Sequence, residues 1–381
     1  MKKIKYLSFY NTPENKEKHI VSPAGVTKVD YVLSVLDALK RPTDVITASR
    51  SQVRSGNKEI VKTVNDFATL YIPADLKGGN WFANKLSTLI YRMRFVPYLR
   101  KHLRRDDVVI VYHSLVYMDE VRRLKKTIGF KLILEVEEIY GDVLGSQKIA
   151  NREMDFFRCA DAYIFPTELL NEKTNDQNKP YVITHGTYRA VPESEERIYH
   201  DDNRVHCVYA GTFDPRKGVF AAISAAEHLP ENYHMHILGF GSPEETERVQ
   251  EAVRATAEKT RARVTYDGCL SGELYTRFIQ SCDIGLSTQN PHAAFNDTSF
   301  PSKVLTYMAN GLRVVSISIP SVVHSDVGDM IYYYDDQTPE KIAEAILKID
   351  LCEAYDSRRR IMELDRRFQN EFQNILQDLR G

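Results

Sequence analysis

Residues 281–316 read SCDIGLSTQNPHAAFNDTSFPSKVLTYMANGLRVVS. Asp283-Ile284-Gly285-Leu286-Ser287 is a short apolar strand that ends in small polar residues. A polar loop follows, with Asn290, His292, Asn296, Asp297, Thr298 and Ser299. Pro301-Ser302-Lys303 opens a helix, because proline suits a first turn whose N–H groups have no intrahelical acceptor. Gly311 stops that helix, and a β-branched strand begins after it. The N–H groups of the first turn, with Lys303 beside them, form an anion site. Open α/β sheets bind phosphorylated ligands at this place, beyond the carboxyl end of a strand. The alternative reading is an ordinary βαβ unit whose polar loop is only solvated.

The same kind of element recurs upstream. Val208-Tyr209-Ala210-Gly211-Thr212-Phe213-Asp214-Pro215-Arg216-Lys217-Gly218 is an apolar strand, a glycine turn and a basic pair ahead of an apolar-periodic helix, residues 219–228. His236-Ile237-Leu238-Gly239-Phe240-Gly241 is a strand closing in Gly-x-Gly. Val264-Thr265-Tyr266-Asp267-Gly268 and the pair Cys282-Asp283 follow in order. With Phe300-Pro301-Ser302-Lys303-Val304-Leu305-Thr306-Tyr307-Met308-Ala309-Asn310-Gly311, this series resembles the nucleotide-sugar half of GT-B glycosyltransferases. The likeness is to the retaining, family-4-like group that includes bacterial polysaccharide and glycolipid enzymes.

Composition agrees with a soluble globular chain. Its 381 residues suffice for two domains with sizeable cores, at 43% hydrophobic and 27% charged content. A net charge of -1 gives no global argument for nucleic acid. Five cysteines without a Cys-x-x-Cys spacing argue against a disulfide framework or a zinc site. Cys159, Cys207 and Cys282 sit in apolar contexts and read as buried thiols. Met1 to Leu7 reads as a first strand rather than a signal peptide. No apolar run reaches membrane-spanning length. The cytoplasm is the expected location.

Strand-like runs at 4–9, 44–48, 108–112, 132–136, 162–165 and 181–184 alternate with helical stretches at 28–39 and 84–103. Pro97 is expected to kink or break the second of these helices. The alternation indicates a doubly wound parallel sheet. The polar stretch 192–203 reads as an interdomain linker, and the alternation restarts at Val205. Two helices follow Asp336, at 339–349 and about 354–379. Phe368, Phe372, Ile375 and Leu379 give the last an apolar face. The resemblance implies a GT-B fold: two Rossmann-like, doubly wound domains facing across a cleft. It places the acceptor-side domain at 1–192, the nucleotide-sugar domain at 203–364, and a C-terminal helix, about 365–381, crossing back to the first domain.

The resemblance also implies roles. Lys217 matches the lysine that neutralises the donor diphosphate. The corresponding arginine position is Thr212, so Arg216 is a candidate replacement. Gly211, Gly239, Ser299, Ser302 and Lys303 fall on the donor side, with Gly25 in a first-domain loop at 22–27. The family's paired glutamates fall at Thr298 and Thr306, and a threonine cannot chelate a diol as a carboxylate does. Asp297, beside Thr298, is the candidate to reach the sugar. Glu137 falls where the family places a histidine at the reaction centre. It reads as a carboxylate that orients a hydroxyl or serves as base, or else as a solvated strand end. Glu138 lies on the opposite face of that strand. His113 ends another strand, where it contacts the acceptor or caps a loop. Without the resemblance, Arg216-Lys217 would read as a solvated turn.

Arg92, Arg94, Arg100, Lys101, Arg104 and Arg105, interleaved with Tyr91, Phe95, Tyr98 and Leu99, suggest contact with an anionic membrane surface through 92–105. The alternative is a solvated basic face. No motif for nucleic acid accompanies the charge. The expected activity is therefore transfer from a nucleotide-diphosphate sugar, UDP-linked, to a glycan or lipid-linked acceptor. No Asp-x-Asp lies in a suitable loop, so neither a metal nor another cofactor is expected. The rivals are a non-catalytic subunit, motivated by the two absent glutamates, and a sugar-nucleotide epimerase. A nicotinamide dehydrogenase is disfavoured, since no Gly-x-Gly-x-x-Gly follows the first strand.

Overall fold

The computed structural model describes residues 3–12, 19, 23–50, 58–75, 81–196, 198, 200, 202–291, 296 and 298–379. His292, Asp297 and Ser22 lie outside the described residues. The chain divides into two units, Met1–Thr187 with Arg367–Gly381, and Tyr188–Arg366.

The first unit is built on an eight-stranded sheet in the order β3-β4-β2-β1-β5-β6-β7-β8. Its strands are β1 (Ile4–Ser8), β2 (Thr43–Thr47), β3 (Ile60–Thr63), β4 (Ala68–Ile72), β5 (Val108–Tyr112), β6 (Lys131–Glu135), β7 (Ala162–Phe165) and β8 (Tyr181–Ile183). Central runs such as Val108-Val109-Ile110-Val111 are buried along their whole length, as parallel strands covered on both faces must be. The sheet is not wholly parallel. β3 pairs antiparallel with β4 at its edge, and neither strand was evident in the sequence. Ile60 and Val61 of this edge strand are exposed, so no burial pattern marks it.

Three expectations about helices change. The first helix runs Pro23–Ala38, so Gly25 lies in its opening turn rather than in a loop. The helix Trp81–His102 continues through Pro97. Met93, whose carbonyl loses its bond to the missing proline N–H, is exposed together with Pro97, so water can take up that acceptor. Its aromatic residues do not form a surface stripe either. Tyr91, Phe95 and Leu99 are in the core, and the Tyr98 hydroxyl donates to Glu59 at 2.6 Å. No helix among the described residues is long and apolar enough to cross a membrane.

The second unit carries a six-stranded sheet in the order β11-β10-β9-β12-β13-β14. Its strands are β9 (Val205–Thr212), β10 (Tyr233–Phe240), β11 (Arg263–Gly268), β12 (Ile284–Ser287), β13 (Arg313–Ile317) and β14 (Ile331–Tyr334), all paired parallel. Chain direction around the sheet reverses between β9 and β12, which makes their carboxyl ends the topological switch point. Of the stretch 192–203, expected as a linker, Pro192 and Ser194 are bonded into this unit. Ser194 N–H donates to Gln280 at 2.8 Å, and Gln280 in turn donates to the Pro192 carbonyl. A polar composition signalled exposure, but these backbone groups are satisfied by Gln280 rather than by water alone.

The terminal helix Ser357–Asp378 contributes to both units. Ser357 donates to the Met308 carbonyl at 2.8 Å within the second. Within the first, the Phe368 ring lies 5.6 Å from that of Tyr31. Phe372, Ile375 and Leu376 are buried beside it, Leu376 more fully than Leu379. All five cysteines are free; Cys207 and Cys282 are buried, but Cys159 is partly exposed.

One buried acid stands out in the first sheet. Glu135, at the end of β6, is fully buried. Its Oε2 accepts from the Tyr6 hydroxyl, while its Oε1 has no partner among the described residues. Burial, opposed by the Lys28 charge, pushes its pKa up to about 7. A carboxyl whose folded pKa is raised stabilises the fold below its ordinary pKa, and this contribution is lost as pH rises through the folded value. Glu135→Gln should therefore raise the thermal midpoint at pH 8. At pH 5 the change should shrink toward zero, and a gain of equal size at both pH values would refute the protonation argument.

Candidate functional site

Two loops and a helix start meet at the carboxyl ends of β9 and β12. After β9, Pro215–Lys217 forms a single 3-10 turn, capped by Asp214, whose carboxylate accepts from Arg216 N–H. Gly218 follows at φ +81°, and a Cβ there would come within 1.6 Å of the Thr288 carbonyl. Only glycine allows this approach. The β12 loop is then tied across: Thr288 Oγ1 donates to the Gly218 carbonyl at 2.7 Å, and Asn290 N–H donates to the Arg216 carbonyl at 3.0 Å. Asn296 braces the loop by donating to the carbonyls of Asn290 and Pro291.

The helix Ser302–Ala309 starts at this junction. Pro301 is its N-cap, one position before the first turn, and no side chain caps the turn's amides. Lys303 points back under β9. Its Nζ lies 3.8 Å from the Tyr209 ring centroid and donates to the Lys217 carbonyl at 3.3 Å. A Cβ on Gly211 would meet Lys303 Cε at 2.5 Å, so the glycine makes room for the lysine stem. Among the described residues no carboxylate forms an ion pair with this ammonium, and the Asp214 charge acts on it only from beyond contact. Burial first, then the nearby Lys217 charge, pushes the Lys303 pKa well below that of an ordinary lysine. A buried cation without a counter-ion is costly, and a bound anion would relieve that cost.

The cavity beside Lys303 has a volume of about 280 Å³ and is lined by Gly211, Thr212, Lys217, Ser302, Lys303 and Thr306, among others. Sequence reading missed several of its walls, Phe240, Tyr275, Gln289 and Tyr307, and the Tyr209 ring beneath Lys303. Phe240 is 59% exposed at the end of β10, where an apolar ring has no structural need to be. Its place between Gly239 and Gly241 at a strand end was the available signal. Tyr307 accepts from Ala210 N–H at 2.8 Å, joining the helix to β9. An adjoining cavity of about 220 Å³ is lined by Gly239, Phe240, Leu270 and Tyr275. Gly239 is required by its contact: a Cβ would fall 1.8 Å from the Gly211 carbonyl.

Other expected residues lie elsewhere. Arg216 is turned outward, 68% exposed, and holds Asp214 at 2.7 Å, so it does not replace the absent arginine inside the cavity. A carboxylate one residue before the 3-10 turn captured it. Thr298 is buried outside the cavity lining, and Ser299 beside it is partly exposed. Thr306 does line the cavity, but its hydroxyl donates to the Ser302 carbonyl at 3.0 Å within its own helix.

In the first unit, Glu137 follows β6 and is partly exposed. Its Oε1 lies 3.1 Å from Lys28 Nζ. Lys28 is buried and also donates to the Thr184 carbonyl at 2.9 Å. Glu138 is partly exposed. His113 is a core residue rather than an acceptor contact. It is 2% exposed, its Nε2 meets Glu153 Oε1 at 2.7 Å, and Tyr140, Phe156 and Phe157 surround its ring. Glu153 also accepts from Tyr140 and Gly141 N–H, which accounts for its burial.

Residues 204–349, most of the second unit, match the family described as glycosyl transferases group 1. The chain has the two-unit α/β architecture of the GT-B fold, and its second unit is similar to that family. Solved structures agree on the fold. Sucrose-phosphate synthase from Thermosynechococcus elongatus is 13% identical, with a TM-score of 0.69 over 98% of this chain and 99% of its own. A trehalose-6-phosphate protein from E. coli, bound with UDP-2-fluoro glucose, is 11% identical, with a TM-score of 0.67 over 99% of each chain. An α,α-trehalose-phosphate synthase (UDP-forming) from Burkholderia xenovorans, in complex with glucose-6-phosphate, is 12% identical, with a TM-score of 0.66 over 100% of both. No curated protein matches the chain in sequence.

Proposed function

We propose that the chain is a glycosyltransferase that takes its sugar from a UDP-linked donor and passes it to a glycan or lipid-linked acceptor, with retention and without a metal. The observation that carries the reading is the buried Lys303 ammonium, which has a ring, a carbonyl and a cavity beside it but no ion-paired carboxylate among the described residues. Departure of a nucleoside diphosphate builds negative charge on the leaving oxygen. Lys303, Lys217 and the uncapped first-turn amides at Ser302 meet that charge, with Thr212 as a neutral donor where an arginine would stand. The diphosphate so held accepts the acceptor's proton on the same face, which gives retention. Phe240 and Tyr275 supply an aromatic wall for the base. The donor and the sugar phosphate seen with the E. coli and B. xenovorans proteins support a nucleotide-sugar donor and a sugar-bearing acceptor.

A second reading has one observation in its favour. The Thr306 hydroxyl is committed to its own helix, and a carboxylate is absent there, so a ribose contact is missing. A non-catalytic subunit would tolerate that loss. Turnover of UDP-sugars by the purified chain alone decides between the two.

The acceptor side has two features. Glu137, held by Lys28, is the first-unit carboxylate proposed to position the acceptor hydroxyl or steady charge on the sugar ring. The helix Trp81–His102 exposes Leu86, Leu89 and Met93 at helical spacing, flanked by Lys85 and Arg92. Such an apolar and basic face suits the surface of an anionic membrane that presents lipid-linked acceptors.

Calorimetry with UDP tests the donor site. Lys303→Ala and Lys217→Ala should each weaken binding about ten- to hundredfold, the worth of a charge-assisted contact. Lys303→Met should also raise the thermal midpoint of the ligand-free protein at neutral pH. That gain should fade as pH climbs through the ordinary lysine range, where the unfolded chain also loses its ammonium proton. UDP affinity within threefold of wild type in both alanine variants would place the donor elsewhere.

Glu137→Gln should cut turnover about a hundredfold with UDP affinity unchanged, and Glu138→Gln should do much less. Equal losses in the two would mark a structural carboxylate pair.

Cosedimentation with phosphatidylserine vesicles should fall when Arg100, Lys101, Arg104 and Arg105 become Gln, each basic group contributing about 1 kcal/mol. Binding that ignores both these changes and added salt would remove the membrane contact.

A further inference from the structure

The opposite end of β9 holds a cluster that glycosyl transfer does not use. His206 is the second residue of β9, and His236 lies two residues beyond its cross-strand neighbour His234 on β10. The pair therefore faces the same side of the sheet. Thr212 lies six residues beyond His206 on this strand, about 20 Å away at strand rise. Both rings are almost wholly buried. His206 Nδ1 and His236 Nε2 are 2.9 Å apart and aimed at each other.

Their outer nitrogens are already assigned. His206 Nε2 meets Asp202 Oδ1 at 3.1 Å, and His236 Nδ1 meets Asp267 Oδ2 at 3.1 Å. A carboxylate only accepts, so each outer nitrogen carries the proton. In the neutral rings both inner nitrogens are then bare lone pairs pointed at one another. That arrangement is repulsive unless a cation lies between them. Metal-ligating histidines are held in the same way, with the second ring nitrogen donating to a carboxylate that fixes the tautomer.

A third imidazole is in place. His200, on the chain entering β9, stacks on His206 with ring centroids 3.6 Å apart, and its Nε2 meets Ser281 Oγ at 3.0 Å. One ring nitrogen from each of His200, His206 and His236 falls within 4.8 Å of the others. Zinc holds imidazoles at about 2.0–2.1 Å in a tetrahedron, which sets nitrogens about 3.3 Å apart. The buried pair would open slightly, and His200 would turn off the His206 face. A fourth imidazole, His234, sits 3.7 Å from His236 ring to ring, with a buried Nδ1 that has no partner among the described residues. Asp283 approaches the His206 backbone at 2.8 Å and adds a third carboxylate to the surroundings.

We propose that His200, His206 and His236 bind one zinc-class divalent ion, with water in the remaining position. The ion would fasten the chain entering β9 to the amino edge of the second sheet. It stands apart from donor chemistry, so its test does not depend on UDP binding.

The tag-free full chain, stripped with chelator and dialysed, is titrated with Co²⁺ and followed by visible absorption, with Zn²⁺ as competitor. One Co²⁺ per chain should appear, with the d–d bands of a nitrogen-ligated site, and one Zn²⁺ should displace it. His236→Gln should abolish the bands. His200→Ala, in a partly exposed position, should keep the circular dichroism of the wild type and weaken Co²⁺ binding at least tenfold. If His236→Gln fails to fold, Asp267→Asn should weaken binding about ten- to hundredfold through the outer nitrogen. Absence of stoichiometric Co²⁺ and Zn²⁺ binding would assign the gap to a shared proton and overturn the site. Binding unchanged in His200→Ala and in Asp267→Asn would overturn it as well.

Discussion

The second unit is organised around one ammonium that the fold holds in an expensive place. Lys303 reaches beneath β9 only because Gly211 lacks a side chain. It rests on the Tyr209 ring and one backbone carbonyl. Neither contact compensates for lost hydration as a carboxylate would. The neighbouring parts serve the same end. Gly218 lets the β9 loop touch Thr288, and Gly239 lets β10 close on Gly211. Each glycine permits a close approach that a Cβ would block. The result is a tightly packed rim around a buried ammonium that has no ion pair among the described residues.

Burial of charge alone does not mark such a place. Glu153 is as buried as any acid among the described residues, yet it accepts from His113 Nε2 and from two backbone N–H groups. Its acceptor capacity is used, and it reads as architecture. Lys28 is buried too, but it has the Thr184 carbonyl and the Glu137 carboxylate. Lys303 differs in having donors left over beside a cavity. The distinction between structural and functional ionisable groups therefore lies in the balance of partners. It requires side-chain positions that a one-dimensional pattern does not hold.

This explains which parts were legible in the sequence. The strand, loop and helix from Ile284 to Ala309 could be read because strand ends, a helix-opening proline and a stopping glycine are local signals. Gly211, Lys217, Ser302, Lys303 and Thr306 accordingly line one cavity. Arg216 was misplaced because a neighbouring Asp214, two residues away, offers a nearer bidentate partner than any ligand. The Tyr91, Phe95 and Leu99 stripe had the spacing of a membrane face, but the same spacing serves a core face, and here it does. His113 carried no mark of burial in the sequence, because its partner Glu153 lies forty residues on. Tyr209 and Tyr307 were hidden for the same reason: their use depends on which residue of another element sits opposite.

The two ends of the parallel sheet in the second unit are electrostatically unlike, and the residues placed there follow that difference. In a parallel α/β layer, helices begin near the carboxyl ends of strands and finish near the amino ends. Their dipoles make the first edge positive and the second negative. At the carboxyl edge the chain adds Lys217 and Lys303, deepening a field already suited to an anion. At the amino edge it gathers His206 and His236 with Asp202 and Asp267, a donor set suited to a cation. β9 and β10 carry both collections, with glycines at one end and imidazoles at the other. A single pair of strands can hold opposite charges stably because they sit about 20 Å apart, beyond a Debye length of about 8 Å where water intervenes. Each set is supported by the helix ends nearest to it, so neither has to be neutralised by the other.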